Sequence, residues 1–224
     1  MSIFGKSYGS RISGDLYVKG QKVELKNPEA AIKQGIAYVT EDRKTNGLIL
    51  DESIRFNTTL ARLDKVCGGG IIDTDKEVQV ADQMTKEMGT KTPTIEQHIG
   101  NLSGGNQQKA LLGKWMFTEP EVLILDEPTN GLDPSGIHEI RSLVKSLPDL
   151  YDCTILLSSH MLSEIELIAD DIGILNHGRL LFEGSLDDLR QSALQSGFAA
   201  DNLEEMFLSM VEEDNRSRKQ RAHL

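Results

Sequence analysis

Cysteine and long hydrophobic runs are both scarce in this sequence. Its 224 residues include two cysteines, Cys67 and Cys153, and neither has another Cys or a His at metal-binding spacing nearby. This pattern excludes a disulfide framework and a zinc site. No apolar run approaches the ~20 residues that a transmembrane helix requires, and the first residues lack the apolar segment of a signal peptide. We therefore predict a globular, cytoplasmic protein that reaches a membrane only through a partner.

Positive charge is also in short supply. Lys and Arg number 24 against 35 Asp and Glu, which gives a formal net charge of −11 at pH 7. An excess of negative charge opposes extended contact with the phosphates of nucleic acids, so we predict no nucleic-acid partner. The one basic run, Arg216–Arg221, has four basic residues in six, and short runs of this kind are usually solvated chain ends.

Turn residues and apolar segments alternate in a way that predicts an α/β fold. Four short apolar strands are separated by segments with helical character, and such alternation is typical of a parallel sheet. Between the first two strands lies a longer, mixed and polar region that predicts a separate helical lobe. His177-Gly178 predicts a hairpin turn after the fourth strand, and Lys19-Gly20 predicts another near the start of the chain. Three predicted helices are a short one that begins at Asn27-Pro28 and longer ones over Asp73–Met88 and Ser135–Leu147. The four predicted strands are Ile36–Thr40, Val122–Leu125, Thr154–Leu157 and Ile172–Leu175.

Two carboxylates, Asp126 and Glu127, follow the apolar strand Val122–Leu125. Open α/β sheets bind ligands at the carboxyl ends of their strands. An aspartate there can hold Mg²⁺ directly or through water, and the adjacent glutamate can orient and deprotonate an attacking water molecule. We therefore predict a metal-binding role for Asp126 and a catalytic role for Glu127. Two solvated acids at the end of a strand are the simpler alternative.

A predicted helix begins at Ser103-Gly104-Gly105, upstream of that strand. A serine N-cap leaves free N–H groups at the helix start, and such a start binds anions. An ordinary capped helix explains the serine but not two glycines, because glycine weakens a first turn unless a ligand must approach closely. This segment therefore predicts an anion-binding site.

Together these segments resemble the motifs of ABC transporter ATPases, in the same order and at the same spacing. Leu102–Gln107 resembles the signature motif, and Val122–Glu127 resembles Walker B with its following glutamate. Three further segments resemble the Q-loop region, the D-loop and the switch-histidine segment: Thr40–Lys44, Asn130–Asp133 and Ser158–His160.

The resemblance implies a P-loop-NTPase-like parallel sheet with a helical subdomain that ends in the signature helix. It also implies that the bound ligands are ATP and Mg²⁺. Glu41 stands where the family has a Mg²⁺-contacting glutamine, so we assign it to the metal, and His160 corresponds to a catalytic residue that contacts the γ-phosphate. The residues expected to contact nucleotide are Ser103, Gly104, Gly105, Gln107 and Asp133.

The expected organisation has four parts. An ATPase core takes in residues 1–44 and 120–184, and the helical subdomain takes in residues 45–119. Two carboxy-terminal helices follow at residues 185–212, and residues 213–224 form a polar tail. The implied partners are a second ABC ATPase domain and transmembrane permease subunits, which would hold the chain at the inner face of the cell membrane.

Two subfamilies are represented in the resemblance. Gly35–Lys44 and Asn106–Lys109 resemble the second ATPase half of monosaccharide importers. From about Asn130 the sequence is more similar to exporter ATPases of the bacitracin-resistance kind, as in Ser158–Glu164 and Leu203–Phe207. The chain could therefore be a hybrid of two ABC lineages.

A phosphate-binding P-loop, Gly-x-x-x-x-Gly-Lys-Ser/Thr, does not occur in the sequence. Gly5-Lys6-Ser7 is a partial match, but the residues after it are too rich in glycine and serine for the required helix. We expect the chain to be an amino-terminally truncated ATPase that binds ATP weakly by itself. Three alternatives remain open: a non-catalytic domain that donates its signature motif to a partner, a truncated product without function, and a non-transport ABC protein.

Overall fold

A computed structural model describes residues 14–195 and 203–222. Gly5-Lys6-Ser7 lies outside these residues. The chain divides into two compact units, Met1–Ser158 and Ser159–Leu224. Within the described residues, no helix combines the length and the apolar character needed to cross a membrane.

The first unit opens with a small hairpin and a short helix. Strands β1 (Leu16–Val18) and β2 (Gln21–Val23) pair antiparallel. Helix α1 (Pro28–Lys33) begins after Asn27, whose side-chain oxygen accepts a hydrogen bond from the N–H of Ala30 at 2.8 Å. Both elements were expected from the Lys-Gly turn and the Asn-Pro helix start, because these residues fix local backbone geometry.

A three-stranded parallel sheet forms the centre of this unit, with the order β3, β6, β7. Strand β3 is Ile36–Val39, β6 is Val122–Asp126 and β7 is Thr154–Ser158. The middle strand carries two fully buried side chains, Leu123 and Leu125. Three of the four predicted strands are therefore confirmed as a parallel sheet.

The predicted helical lobe lies between β3 and β6. Helix α3 (Thr74–Glu87) matches the predicted helix and is capped by Asp73, whose carboxylate accepts a hydrogen bond from Lys76 N–H at 3.1 Å. The lobe's other elements are a π-helical turn (Arg43–Gly47), helix α2 (Ile54–Thr59), a 3-10 turn (Leu60–Val66), strands β4 (Cys67–Gly68) and β5 (Ile71–Ile72), a 3-10 turn (Ile99–Asn101) and helix α4 (Gly104–Met116).

Helix α5 (Pro134–Tyr151) returns the chain from β6 to β7 and is longer than predicted. The sequence pattern predicted an end at Leu147. Proline removes a helical hydrogen bond and restricts the residue before it, so Pro148 would ordinarily stop a helix there. Pro148 nevertheless lies inside the helix, on its exposed side. The helix ends at Asp152, which adopts a left-handed conformation and donates its N–H to the Pro148 carbonyl at 2.9 Å.

In its described residues, the second unit contains an antiparallel hairpin and three helices. Strands β8 (Asp171–Asn176) and β9 (Arg179–Ser185) are joined by the predicted His177-Gly178 turn. Its helices are α6 (Leu162–Ile168), α7 (Leu186–Gln195) and α8 (Leu203–Ala222). Its buried core residues are Ile172, Ile174, Leu189, Leu203 and Met206.

One expectation for this region needs correction, and the structure adds detail to a second. The fourth predicted strand pairs antiparallel with β9 and is not a member of the parallel sheet among the described residues, because the two-residue turn brings β9 directly beside it. The predicted polar tail is helical as far as Ala222. Ion pairs one turn apart, Arg216 with Glu212 at 3.1 Å and Arg218 with Asp214 at 4.0 Å, support that helix. The boundary between the two units also falls inside the predicted core segment 120–184.

Candidate functional site

The predicted metal ligand, Asp126, ends the middle strand of the sheet with both carboxylate oxygens engaged. Its Oδ2 accepts a hydrogen bond from the Tyr38 hydroxyl at 2.6 Å, and its Oδ1 accepts one from the Ser158 hydroxyl at 2.6 Å. Strand register explains the arrangement. Ser158 is directly opposite Asp126, and Tyr38 is opposite Ile124, so its long side chain reaches two residues further along the same face.

Tyr38 remains a hydrogen-bond donor over the whole physiological range. Its burial, followed by its hydrogen bond to the negative Asp126 carboxylate, raises the pKa of the Tyr38 hydroxyl far above its usual value. The sequence predicted no role for Tyr38, and it marked Ser158 only as part of the segment that resembles the switch histidine. The available signal was a polar ring in an otherwise apolar strand, but its partner depends on strand register, which the sequence alone does not fix.

Glu127 leaves the strand in a conformation that few glutamates adopt. Its φ is +45°, in the left-handed region, which costs a residue with a side chain roughly 1 kcal/mol. Its N–H donates to the Ser158 carbonyl at 3.1 Å, so the turn is anchored on β7. Strained backbone of this kind is concentrated at functional sites, where the surrounding structure maintains it. Glu127 is partly buried, beside the carboxylate of Asp126 in sequence.

The start of helix α4 has the predicted serine cap. The Ser103 hydroxyl accepts hydrogen bonds from the Asn106 backbone N–H at 3.4 Å and from the Asn106 side-chain amide at 3.0 Å. A Cβ on Gly104 would lie 2.9 Å from Nη2 of Arg43, whereas a Cβ on Gly105 would be at ordinary contact distance, 3.4 Å from the Gly136 Cα. Packing within the chain thus explains Gly104, which by itself no longer indicates a ligand. It does not explain Gly105.

Gln107, predicted to contact nucleotide, is turned into the helical lobe and is buried. Its side-chain amide donates to the carbonyls of Ile99 and Leu102, both at 3.2 Å. In this arrangement Gln107 holds the segment that leads into the signature serine.

Asp133 and Glu41 each stabilise a loop at the carboxyl edge of the sheet. Asp133 caps helix α5, and its Oδ1 accepts a hydrogen bond from Gly136 N–H at 2.9 Å. Glu41 is exposed after β3 and accepts a hydrogen bond from the Asn130 side-chain amide at 3.1 Å. The loops after β3 and β6 are therefore joined at this edge.

His160 belongs to the second unit, directly after its boundary. Its side chain is exposed, and the following residue, Met161, donates its N–H to the Ser159 hydroxyl at 3.0 Å. The structure thus joins the loop of Glu41 to the loop that leads to Asp133, while Gln107 faces the helical lobe and His160 is described only within its own unit.

A comparison with models of protein families shows which family the chain belongs to. The family model described as "ABC transporter" matches residues 2–130, which is more than half of the chain. The chain belongs to the ABC transporter family. The resemblance inferred from the signature and Walker B segments is therefore confirmed.

Relatives in this ABC family include several ATP-binding proteins of sugar uptake. The L-arabinose transport ATP-binding protein AraG of Geobacillus stearothermophilus is 44% identical over 194 residues, which cover 87% of this chain and 38% of AraG. The xylose import ATP-binding protein XylG of Thermoanaerobacter pseudethanolicus is 40% identical over 193 residues, covering 86% of this chain and 38% of XylG. The ribose import ATP-binding protein RbsA of Bacillus subtilis is 40% identical over 168 residues, covering 75% of this chain and 34% of RbsA.

These alignments bear on the two predicted subfamilies. The chain spans 38% of the length of AraG and of XylG. The likeness to sugar-uptake proteins is confirmed, and because it covers 87% of the chain it extends past Asn130. The similarity to bacitracin-type exporters beyond that residue stays a prediction.

A solved ABC structure shows the same fold. The dimeric, post-hydrolysis structure of the ATP-binding cassette MJ0796 bound to ADP and Pi superposes with a TM-score of 0.63 and 20% identity. The match covers 77% of this chain and 73% of that one. The predicted P-loop-NTPase-like α/β fold is therefore confirmed.

The donor set at the edge suits Mg²⁺ held mainly by phosphates and water. Among the described residues, no three His, Cys, Asp or Glu side chains cluster as a metal site. Mg²⁺ commonly binds through one or two carboxylates together with nucleotide phosphates and water. Asp126 offers one carboxylate, and a carboxylate has about four acceptor positions, so two hydroxyl donors leave others for a metal-bound water. The residues present therefore fit this ion.

Proposed function

We propose that this chain is the ATP-hydrolysing domain of an ABC importer for a sugar. The observation that carries the proposal is the edge of the parallel sheet, where Asp126 and Glu127 leave β6 together and Asp126 is fixed by two hydroxyl donors. The sugar-uptake names of AraG, XylG and RbsA support the class of solute.

The proposed chemistry is attack of water on the terminal phosphate of ATP. Glu127 orients that water and accepts its proton, and Asp126 holds a metal-bound water or the metal itself. Bound Mg²⁺ neutralises phosphate charge and so lowers the barrier to phosphoryl transfer. The resemblance to ABC ATPases would assign His160 to the γ-phosphate and Glu41 to the metal.

The proposed partners are a second ABC ATPase domain and permease subunits in the membrane. Ser103, Gly104, Gly105, Gln107 and Asp133 form or support the surface that completes the partner's nucleotide site. The dimeric form of MJ0796 supports a pair of such domains. Through the permease, the chain would be held at the inner face of the cell membrane.

A second candidate follows from the start of helix α4, where Ser103 caps the helix and packing within the chain does not explain Gly105. In this alternative the chain offers Ser103 and Gly105 to ATP held by a complete partner and does not itself hydrolyse nucleotide. Glu127 is then dispensable for turnover, which separates the two candidates.

The test uses Mg²⁺-ATP and two forms of the protein, the chain as it stands and a version with a complete P-loop segment added upstream. Glu127→Gln should lower kcat by about 10²–10⁴-fold in the hydrolysing form, the range for loss of a general base. Glu121→Gln is the matched control, because Glu121 precedes the same strand and forms an exposed ion pair with Lys19. Equal turnover by the Glu127 variant and its control would refute the catalytic role.

A further inference from the structure

A buried arginine, Arg43, lies in the loop after β3 and has no role in the chemistry above. It is 8% exposed and opens the π-helical turn Arg43–Gly47. Burial of its charge lowers the pKa of the Arg43 guanidinium below its usual value. Taking a charge out of water costs several kcal/mol unless hydrogen bonds replace the lost hydration. The contacts that keep Arg43 inside therefore matter to the fold.

Two backbone carbonyls receive the guanidinium, and both lie in the loop after β6. Nη1 donates to the Asn130 carbonyl at 2.8 Å, and Nη2 donates to the Gly131 carbonyl at 3.4 Å. This loop begins directly after Glu127, and the Asn130 N–H in turn donates to the Glu127 carbonyl at 3.0 Å. Arg43 thus holds the segment between Glu127 and Asp133 by two hydrogen bonds to its backbone.

The same guanidinium abuts the first residue of helix α4. A Cβ on Gly104 would stand 2.9 Å from Nη2 and 3.8 Å from Cζ of Arg43, and 3.2 Å from Cδ2 of Leu132. The closest distance is shorter than real Cβ contacts, and the guanidinium is buried and hydrogen-bonded, so a side chain at residue 104 would displace Arg43 as well as crowd Leu132. One side chain therefore contacts two segments that the sequence analysis had identified separately, the signature start and the loop after Walker B.

We propose that Arg43 is a positioning residue that sets the spacing between the start of α4 and the Asn130–Gly131 loop. The inference rests on the proposed function, because that function places Ser103 and Asp133 on these two segments. The planar shape of the Arg43 guanidinium is needed for this role as well as its charge. Its Nε is buried and makes no hydrogen bond to any described residue, while its two terminal nitrogens reach neighbouring carbonyls. A lysine ammonium, as a point charge, cannot copy that planar fork.

The contact with Gly104 is tested first, by urea unfolding of the chain followed through Trp115 fluorescence. Gly104→Ala should lower the urea midpoint in the wild-type background. Arg43→Ala lowers the midpoint as well, but with the guanidinium removed Gly104→Ala should lower it by less than in the wild type, the remaining loss coming from the contact with Leu132. Shifts that simply add would overturn the inference, because they mean that the two residues do not share a contact. If Arg43→Ala does not fold, Arg43→Lys takes its place, with a partial reduction of the Gly104→Ala effect expected.

The positioning role is tested by steady-state ATP hydrolysis in the form with a complete P-loop. Arg43→Lys should lower kcat about tenfold with an unchanged KM, because the segments it holds serve turnover and not nucleotide capture by the same domain. Arg62→Lys, a conservative change in the helical lobe, is the matched control and should retain wild-type kcat. An unchanged kcat for Arg43→Lys, or a raised KM alone, would overturn the positioning role.

The proposed function and this inference can be refuted separately. If Glu127→Gln leaves turnover intact, the hydrolytic assignment is wrong, while the Arg43–Gly104 coupling in unfolding still decides whether the contact exists. If Glu127→Gln abolishes turnover and Arg43→Lys has no effect, the inference alone is wrong.

Discussion

Replacing Tyr38 with phenylalanine isolates one hydrogen bond at the edge of the sheet. The ring keeps its place in the core cluster with Leu25, Ala31 and Ile36, and only the hydroxyl that donates to Asp126 is lost. Hydrogen bonds to charged groups contribute about 1.5–3 kcal/mol. Because Asp126 is only partly buried, water can replace some of the contact, so we expect Tyr38→Phe to lower the free energy of unfolding by about 1.5 kcal/mol at pH 7.

The same substitution should change how stability depends on alkaline pH. The pKa of the Tyr38 hydroxyl is raised in the folded state, while an unfolded tyrosine ionises near pH 10. Above that pH the unfolded chain releases a proton that the folded chain keeps. The contribution of Tyr38 therefore falls by about 1.4 kcal/mol per pH unit, whereas phenylalanine has no proton to lose. The wild type and Tyr38→Phe should thus reach nearly equal stability by about pH 11.

Trp115 provides the assay, since it is the sole tryptophan and packs against the same cluster as Tyr38. Urea unfolding followed by its fluorescence reports on the first unit at pH 7 and at steps up to pH 11. Tyr17→Phe is the matched control, because the Tyr17 side chain is 59% exposed on β1 and should be replaceable without loss. A difference below about 0.5 kcal/mol at pH 7, or one that stays constant to pH 11, would refute the reasoning.

Two further predictions concern other titrating contacts of the first unit. The Tyr151 hydroxyl donates to the Glu87 carboxylate, and burial raises the pKa of that hydroxyl. Tyr151→Phe should therefore lower the urea midpoint at pH 7 and make the midpoint fall less steeply above pH 10. A steeper fall in the variant would contradict this. Hydrogen bonds from Lys109 and Lys91 lower the pKa of Glu139 to about 2, so its contribution is present above the unfolded pKa near 4.5 and is lost as the pH falls through 2. Glu139→Gln should therefore be less stable than the wild type at pH 7 but equal to it near pH 2, as measured by Trp115 fluorescence, and a gap that persists at pH 2 would count against the ion pairs.

The elements that the sequence predicted well are those governed by local rules. The strand before Asp126 is a continuous apolar run, and Ser103 and Asp73 are ordinary N-caps, so their positions follow from neighbouring residues alone. The hairpin at His177-Gly178 belongs to the same class. Helix α5 continues past its predicted end at Leu147, because an exposed proline late in a long amphipathic helix can be tolerated.

The contacts that shape the candidate site depend on chain segments far apart in sequence. Tyr38 and Asp126 are separated by 88 residues, and so are Arg43 and Gly131. Which pairs meet is decided by the register of β3 against β6, and nothing local to either strand encodes it. The sequence therefore predicted Asp126 and Glu127 as chemistry-bearing residues but not the side chains that hold them. Gly104 shows the opposite case. The sequence predicted that this glycine leaves room for a ligand, whereas in the structure the nearest group is Arg43 of the same chain.

Hydrogen bonds at three successive positions join β3 and its following loop to β6 and the loop after it. Tyr38 bonds to Asp126 at the end of the paired strands, Glu41 accepts from Asn130 one step beyond, and Arg43 holds the carbonyls of Asn130 and Gly131. A displacement of the loop after β3 must break these hydrogen bonds or carry the loop after Glu127 with it. Breaking all of these hydrogen bonds, two of which come from a buried guanidinium, requires more free energy than moving an exposed loop that lacks such contacts. The loop after Glu127 is therefore held from the loop after β3, and Arg43→Lys should loosen it more than Glu41→Gln does, as measured by faster hydrogen exchange of the Asn130 N–H that donates to Glu127.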